Sequence, residues 1–285
     1  MQNENNLTEV TYGAAFADVY DEWYGDDPET TSTVQLLADL VAHTPRPRVL
    51  ELGAGTGRLA IPLAATLRAQ SGVVVALDES AEMLRILASN AAQPPSGDNG
   101  ASLVAVHASM VDLASLSRAE LNRAEFGRAE LSSAELSSAG EEAFHLIYAS
   151  YNTFFNLSHD GEQERCLAAV AQHLHRDGLF VLDAFIIASD APTHGSSHEQ
   201  RGAWTLHTST IYEPATGLID GSTRSSHRDG RNVQRPWRIR YQSPTQLDAL
   251  CDKVGMKLTE RYSSWQKSTF DHDAARHVSI YRLVR

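Results

Sequence analysis

Cysteine is nearly absent from this chain, with two residues, Cys166 and Cys251, among 285. They lack the close spacing of a metal knuckle, so no metal site and no disulfide framework is expected, and a reducing interior suits the chain. Long apolar runs are missing as well, since no stretch approaches the roughly 20 residues that a membrane-spanning helix needs. The segment Met1-Gln-Asn-Glu-Asn-Asn6 has neither a positive leader nor an apolar core, so no secretion signal is read and the cytoplasm is the expected compartment. Basic charge is the minority sign, with 24 Lys and Arg against 36 Asp and Glu and a formal net charge of −12. This balance argues against a nucleic-acid partner or an anionic membrane and is compatible with a neutral or cationic small molecule. With 42% hydrophobic residues the chain can bury a full core, as one domain with insertions.

Against these absences stands one dense segment, Pro47-Arg-Val-Leu-Glu-Leu-Gly-Ala-Gly-Thr-Gly-Arg58. An apolar strand (Arg48–Leu52) runs into a glycine turn at Gly53-Ala54-Gly55-Thr56-Gly57, and a helical pattern starts at Leu59. Glycine lets a backbone turn sharply and lie against a ligand, while the new helix aims its free N–H groups there. A second strand, residues 72–77, ends at Asp78, about twenty residues past the last glycine, where an acid can grip two ribose hydroxyls. Together these read as a nucleoside-binding half of a doubly wound sheet. A dinucleotide site spaces its glycines G-x-G-x-x-G for a pyrophosphate. Here Glu51 precedes G-x-G-x-G by two residues, and its carboxylate would repel a pyrophosphate but suits a cofactor bearing an ammonium and a sulfonium.

At these residues the chain resembles the class I S-adenosylmethionine (SAM) methyltransferases, whose first motif is E/D-x-G-x-G-x-G. The likeness continues at Asp78-Glu79-Ser-Ala-Glu-Met83-Leu84, similar to that family's second motif with its apolar adenine contact. The resemblance implies a Rossmann-like α/β fold, a doubly wound and mostly parallel sheet with an antiparallel last strand, and SAM as cofactor. It assigns Glu51, Gly53, Ala54, Gly55, Asp78, Glu79 and Met83 to that cofactor. Where the family usually has an aspartate for the adenine amino group, this chain has Ser109, so the contact passes to the Ser109 hydroxyl, Met110 or Asp112. The segment Ser150-Tyr-Asn152, at the C-terminal end of the fourth strand, would border the transferable methyl, since open α/β sheets take ligands at those ends. Ser150 is counted with the cofactor contacts.

Four parts follow. Residues 1–44 carry Tyr12, Phe16, Tyr20, Trp23 and Tyr24 at helical spacing. Tyr20-Asp-Glu-Trp-Tyr24 resembles the family's Y-D-x-x-Y element, which implies a lid over the cofactor with Tyr12 and Tyr20 near its amino-acid end. Residues 45–189 form the SAM-binding core, with helix Ala81–Ala91 capped by Ser80 and strands Ser102–His107, Phe144–Ala149 and Leu179–Phe185. Within it, residues 114–140 hold four tandem five-residue units beginning at Ala119, Ala124, Ala129 and Ala134. They resemble pentapeptide repeats, but one turn of such a helix buries no core, so a surface insertion is expected. Residues 190–240 alternate polar and apolar around Asp229-Gly230, a hairpin signal, and are expected to form three antiparallel cap strands, a β-meander. Residues 241–285 complete the core, where Tyr241-Gln-Ser-Pro resembles the family's R-Y-x-x-P stretch.

Methyl transfer needs alignment, a dry pocket and, for a protonated nucleophile, a base. His194, His198, His207, His227 and Tyr151 are the candidates, and His227 is chosen with Tyr151. Tyr24, Asn152 and Trp204 are expected to bind the acceptor. The N/D-P-P-Y element used on nucleic-acid bases is missing, because Ser150-Tyr-Asn-Thr stands there, which favours a small molecule or peptide. The expected reaction is methyl transfer to an amine of a small natural product, similar to amino-sugar N-methyltransferases, with a second methyl and homodimerisation left open. An O- or C-methyltransferase, or a SAM-binding partner protein without activity, are the alternatives. Calorimetry should therefore find SAM bound with a Kd in the micromolar range, about −8 kcal/mol, and no binding of NAD; the reverse result would sink this reading.

Overall fold

The computed structural model describes residues 11–92, 102–116, 143–271 and 273–284. The four repeats of residues 119–138 and the Pro/Gly loop of residues 93–100 lie outside the described residues. The core strands are β1 (Arg48–Leu52), β2 (Val73–Asp78), β3 (Ser102–His107), β4 (Phe144–Ala149) and β5 (Leu174–Phe185). Two closing strands are numbered after the four of the cap: β10 (Met256–Tyr262) and β11 (Arg276–Leu283). Their order across the sheet is β10-β11-β5-β4-β1-β2-β3. Five neighbouring strands run parallel, while β11 is antiparallel to both β5 and β10.

All five residues of β1 are buried, as expected of a parallel strand covered on both faces. Leu50 and Leu52 join one apolar cluster, and Val49 joins the other on the opposite face. Helices α3 (Thr30–Leu40), α4 (Ala60–Leu67) and α5 (Ala81–Ala91) place buried residues in the second cluster. Helices α6 (Glu162–His173) and α7 (Pro244–Lys253) contribute to the first. Ser80 caps α5 through the Met83 N–H, and Ser243 closes a capping box with Gln246 at the start of α7, each satisfying orphan donors of a first turn. No helix among the described residues is long and apolar enough to cross a membrane.

The cap has four strands, one more than the sequence suggests: β6 (His194–Arg201), β7 (Trp204–Glu213), β8 (Leu218–His227) and β9 (Asn232–Arg240), paired antiparallel in that order. The additional strand, β6, is an edge whose sequence His-Gly-Ser-Ser-His-Glu-Gln-Arg offers no apolar alternation, so its ladder to β7 defines it. Two short helices, α1 (Tyr12–Phe16) and α2 (Tyr20–Tyr24), lie against this cap. Ala15, Phe16, Val19 and Trp23 form one buried cluster with Trp204 and Leu206 of β7.

Arg235 of β9 ties the helices down. Its guanidinium donates to both carboxylate oxygens of Asp18, at 2.6 and 2.8 Å, and to the carbonyl of Ala15. It also lies 5.8 Å from the Phe16 ring centre and 5.5 Å from that of Trp23. Replacing Arg235 by methionine keeps the bulk and removes the fork, and should lower the unfolding free energy by about 2–3 kcal/mol, the range for hydrogen bonds to charged groups. Urea denaturation measures this; lysine at the same position should not rescue it, because the bidentate geometry is lost.

Candidate active site

The glycine turn is built as its sequence implies. Gly53 and Gly55 have φ of 68° and 56°, the left-handed region that favours glycine. A Cβ on Gly53 would lie 2.2 Å from Thr153 Cγ2, so the chain can pass there only without a side chain. The Ala54 N–H bonds the Leu77 carbonyl at 2.9 Å. The Asp78 carboxylate then closes the turn, accepting from the Gly55 N–H at 2.7 Å and from the Ser80 N–H at 2.8 Å. Burial raises its pKa, and the two N–H groups oppose that rise.

A cavity of about 320 Å³ opens beside this turn, at the carboxyl ends of the parallel strands, where open α/β sheets take their ligands. One side is walled by Gly53, Gly55, Leu77, Asp78, Glu79, Met83 and Met110. The lid supplies Tyr12, Gly13, Phe16, Tyr20, Trp23 and Tyr24. The turn after β4 supplies Tyr151, Asn152, Thr153 and Asn156, with Phe185 at the end of β5. The cap closes the far side with Glu199, Leu206, Thr208, Thr223, Trp237 and Ile239.

Two guanidinium groups brace the aromatic lining. Arg58 lies over the Tyr151 ring at 4.7 Å and pairs with Asp27 at 3.2 Å. Arg201 lies over the Tyr24 ring at 4.6 Å and donates to the Trp23 carbonyl at 2.7 Å. The rings of Tyr24 and Tyr151 meet edge to face at 5.8 Å. The Tyr12 hydroxyl is hydrogen-bonded to that of Tyr24, and burial, first, pushes Tyr12 well above the ordinary phenol range. Burial also raises Tyr20 and Tyr151, so all three hold their protons firmly.

Of the residues expected from the sequence, Tyr12, Tyr20, Tyr24, Gly53, Gly55, Asp78, Glu79, Met83, Met110, Tyr151 and Asn152 line this one cavity. Ala54, Ser109 and Ser150 flank its wall without forming it. Glu51 lies beneath the turn, buried beside the Tyr148 hydroxyl, with Oε2 unpartnered, and desolvation pushes its pKa up to about 8. Trp204 faces the lid helices instead of the cavity. His227 is set apart at the end of β8, where its Nδ1 lies 2.8 Å from the Asp229 carboxylate and its ring 4.7 Å from that of Trp204. The cap residues Glu199, Leu206, Thr208, Thr223, Trp237 and Ile239, together with Gly13, Phe16, Trp23, Leu77, Thr153, Asn156 and Phe185, are lining that the sequence does not assign.

The lining fits a nucleoside cofactor. Gly53 and Gly55 leave a bare backbone edge, and Cβ on Gly55 would meet nothing nearer than Tyr20 Cε1 at 3.9 Å. Each Asp78 oxygen takes one backbone N–H, which leaves a further lone pair apiece for hydroxyl donors. The thioether of Met83 and the side chain of Met110 supply an apolar flank for a flat ring.

Neither a protein-family model nor a curated protein matches the chain. Solved structures do. The chain is similar to the CcbJ methyltransferase from Streptomyces caelestis, with 28% identity over 97% of this chain and 99% of that one and a TM-score of 0.77. It shares the fold of a SAM-dependent methyltransferase from Clostridium acetobutylicum, at 14% identity, 95% and 98% coverage and a TM-score of 0.70. It also shares that of SAM-bound CalS10, an amino pentose methyltransferase from Micromonospora echinaspora, at 14% identity, 94% and 95% coverage and a TM-score of 0.60. The chain is a methyltransferase with the fold of the SAM-dependent enzymes.

Glu51 generates a test. A carboxyl whose pKa is about 8 when folded and near 4.5 when unfolded keeps a proton in the folded state that the unfolded chain gives up. Its contribution to stability is therefore full below pH 4.5 and is lost as pH rises toward 8. In the cofactor-free protein, Glu51→Gln should be about as stable as the parent at pH 4.5 and more stable by roughly 3–5 kcal/mol at pH 8. Urea titrations at the two pH values measure the difference, and a gap independent of pH would show that folding leaves the Glu51 pKa unshifted.

Proposed function

We propose that the chain transfers the methyl group of SAM to an amine nitrogen of a small natural product or peptide. The observation that carries this reading is the chemistry of the lining. Among the described residues the wall holds no histidine, lysine or cysteine, and its carboxylates are Asp78 and Glu79 beside the glycine turn and Glu199 held by Arg201. Its tyrosines Tyr12, Tyr20 and Tyr151 hold their protons more tightly than free phenols. A hydroxyl acceptor generally needs a base to remove its proton, whereas an amine reaches its nucleophilic form by losing a proton to water. His227 points away to Asp229 and is not the base in this reading. Glu199 on the cap wall pairs with Arg201 through Oε1 at 2.9 Å and keeps its second oxygen for an arriving ammonium. The amino pentose named for CalS10, which has the same fold, supports the choice of an amine.

In this reading Asp78 holds the ribose hydroxyls, and Gly53 and Gly55 lie along the amino-acid end. Glu79, Met83 and Met110 surround the adenine, with the Ser109 hydroxyl close by. Tyr12 and Tyr20 close over the cofactor. Tyr24, Tyr151 and Asn152 face the acceptor, with the cap wall behind it. SAM supplies a carbon made electrophilic by its sulfonium; the protein aligns the acceptor, excludes water and braces the aromatic lining through Arg58 and Arg201.

The test is to incubate the purified chain with SAM and a panel of amines, peptides and phenols and to locate the new methyl by fragmentation mass spectrometry. Methylated nitrogen is expected, with a rate that climbs with pH toward the pKa of the bound amine. A methyl on oxygen or carbon, with the amine left free, would overturn the acceptor assignment and leave the methyltransferase standing.

A further inference from the structure

The strand β4 ends in a costly turn. Tyr151 and Asn152, two consecutive residues other than glycine, have φ of 56° and 65°. L-residues with side chains avoid this left-handed region, so two in succession persist only where the surroundings enforce them. The enforcing residues lie on β5. The Asp183 carboxylate accepts from the Tyr151 N–H at 2.9 Å, and the Asp183 carbonyl accepts from the Asn152 N–H at 3.1 Å. In return the Phe185 N–H donates to Asn152 Oδ1 at 2.7 Å.

Asp183 is itself fixed. It is 1% exposed, on a strand otherwise apolar at that end. One carboxylate oxygen takes the Trp265 Nε1–H at 3.3 Å besides the Tyr151 N–H, and the other takes the Arg276 Nε–H at 3.2 Å and an Nη2–H of the same guanidinium. Arg276 continues to Glu29, at the start of α3, and Glu29 lies two residues from Asp27, the partner of Arg58. The turn is therefore held from below by Asp183, while the Tyr151 ring is held from above by Arg58. A buried carboxylate on a core strand has no apolar packing purpose, and its ligands account for every direction in which it can accept.

We infer that Asp183 is a positioning residue for methyl transfer: it locks Tyr151 and Asn152 in the left-handed turn that sets both side chains in the acceptor side of the cavity. This rests on the methyltransferase reading given above, but makes a separate claim about how that cavity is held. Asp183 is not itself part of the cavity lining and reaches it through Tyr151 and Asn152, away from the Gly53 and Asp78 side, so its loss should disturb the acceptor side and spare SAM.

Two measurements test it. In the unaltered chain, hydrogen exchange should find the Tyr151 and Asn152 amides protected, as bonds to a buried acceptor require; fast exchange at both would overturn the inference without any variant. Asp183→Asn keeps the shape and one acceptor oxygen. With tyrosine labelled by ¹³C and the Tyr151 signal identified through Tyr151→Phe, this variant should shift Tyr151 toward the position of a solvent-exposed ring. Turnover on the best amine of the panel should fall by about 30-fold or more, as for a misaligned reactant, while the SAM Kd by calorimetry changes by less than about threefold. Asn152→Gly, which suits the left-handed turn, should keep the Tyr151 signal in place. An unmoved Tyr151 signal with unchanged turnover in Asp183→Asn, or SAM affinity lost in step with turnover, would show a purely structural role. Failure of the unaltered chain to bind SAM would strike the cofactor reading instead.

Discussion

The Asp78 carboxylate is the tie on which the cofactor side of the molecule depends. It joins three pieces of chain: the glycine turn through Gly55, the end of β2 that carries it, and the start of α5 through Ser80. Without an acceptor at that point, two buried backbone N–H groups would lose their partners, a loss of about 1–3 kcal/mol each. The left-handed Gly53 and Gly55 would also lose what holds them against the sheet. The same carboxylate reaches the cavity wall. Fold and cofactor site therefore meet in one side chain, and the apolar strands on either side serve to bring it there.

The acceptor side is built on a different principle. Helices α1 and α2 have five residues each, far fewer than an isolated helix needs in water. They owe their form to the Phe16–Trp23–Trp204 cluster and to the Arg235 fork. Tyr12 and Tyr20 are thus placed by a cap strand more than two hundred residues later in the chain. The two apolar clusters of the core do not include these helices, so their packing is with the cap, and Asp21 ties them to α5 through Asn90 at 2.9 Å. The fold separates a rigid cofactor floor from a roof whose stability is local.

This division also explains what the sequence discloses. The strands Arg48–Leu52, Ser102–His107 and Phe144–Ala149 and the helix Ala81–Ala91 are found where their apolar runs and caps place them, since each signal is local. The cofactor wall is legible for the same reason: its residues sit at fixed offsets from the glycine turn. The cap is legible in kind but not in detail. Strand β6 has no apolar alternation, and its one local signal is Gly202-Ala203, a two-residue loop with glycine first, between Arg201 and Trp204. Missing that strand hides Glu199. Alternation puts Trp204, Leu206 and Thr208 on one face of β7, which meets the lid at Trp204 and the cavity at Leu206 and Thr208, so Trp204 reads as an acceptor contact although it packs on Trp23. His227 looks poised on a strand and is occupied by its own hairpin acid, Asp229. Asp183, an acid inside Leu-Phe-Val-Leu-Asp-Ala-Phe, was the visible signal for the turn that it holds.

The shape of the acceptor wall follows from contacts inside the cap. Trp237 on β9 lies flat over Gly221 on β8, where a Cβ would come within 2.1 Å of the indole ring. Its Nε1–H donates to Thr223 Oγ1 at 3.2 Å, and that hydroxyl shares a 3.0 Å bond with Thr208. An indole N–H can only donate, so Thr223 must accept from it, and the remaining hydroxyl proton of the Thr208–Thr223 pair is free to serve the cavity. The wall is therefore an apolar plate with the Thr208–Thr223 pair set into it and Glu199 beside it, and a glycine allows that plate to sit back from the lumen. None of these contacts passes through β1, β2 or the glycine turn. Cap residues can change the acceptor while the cofactor floor is retained, so a shared fold at 14% identity does not by itself fix the molecule that receives the methyl group.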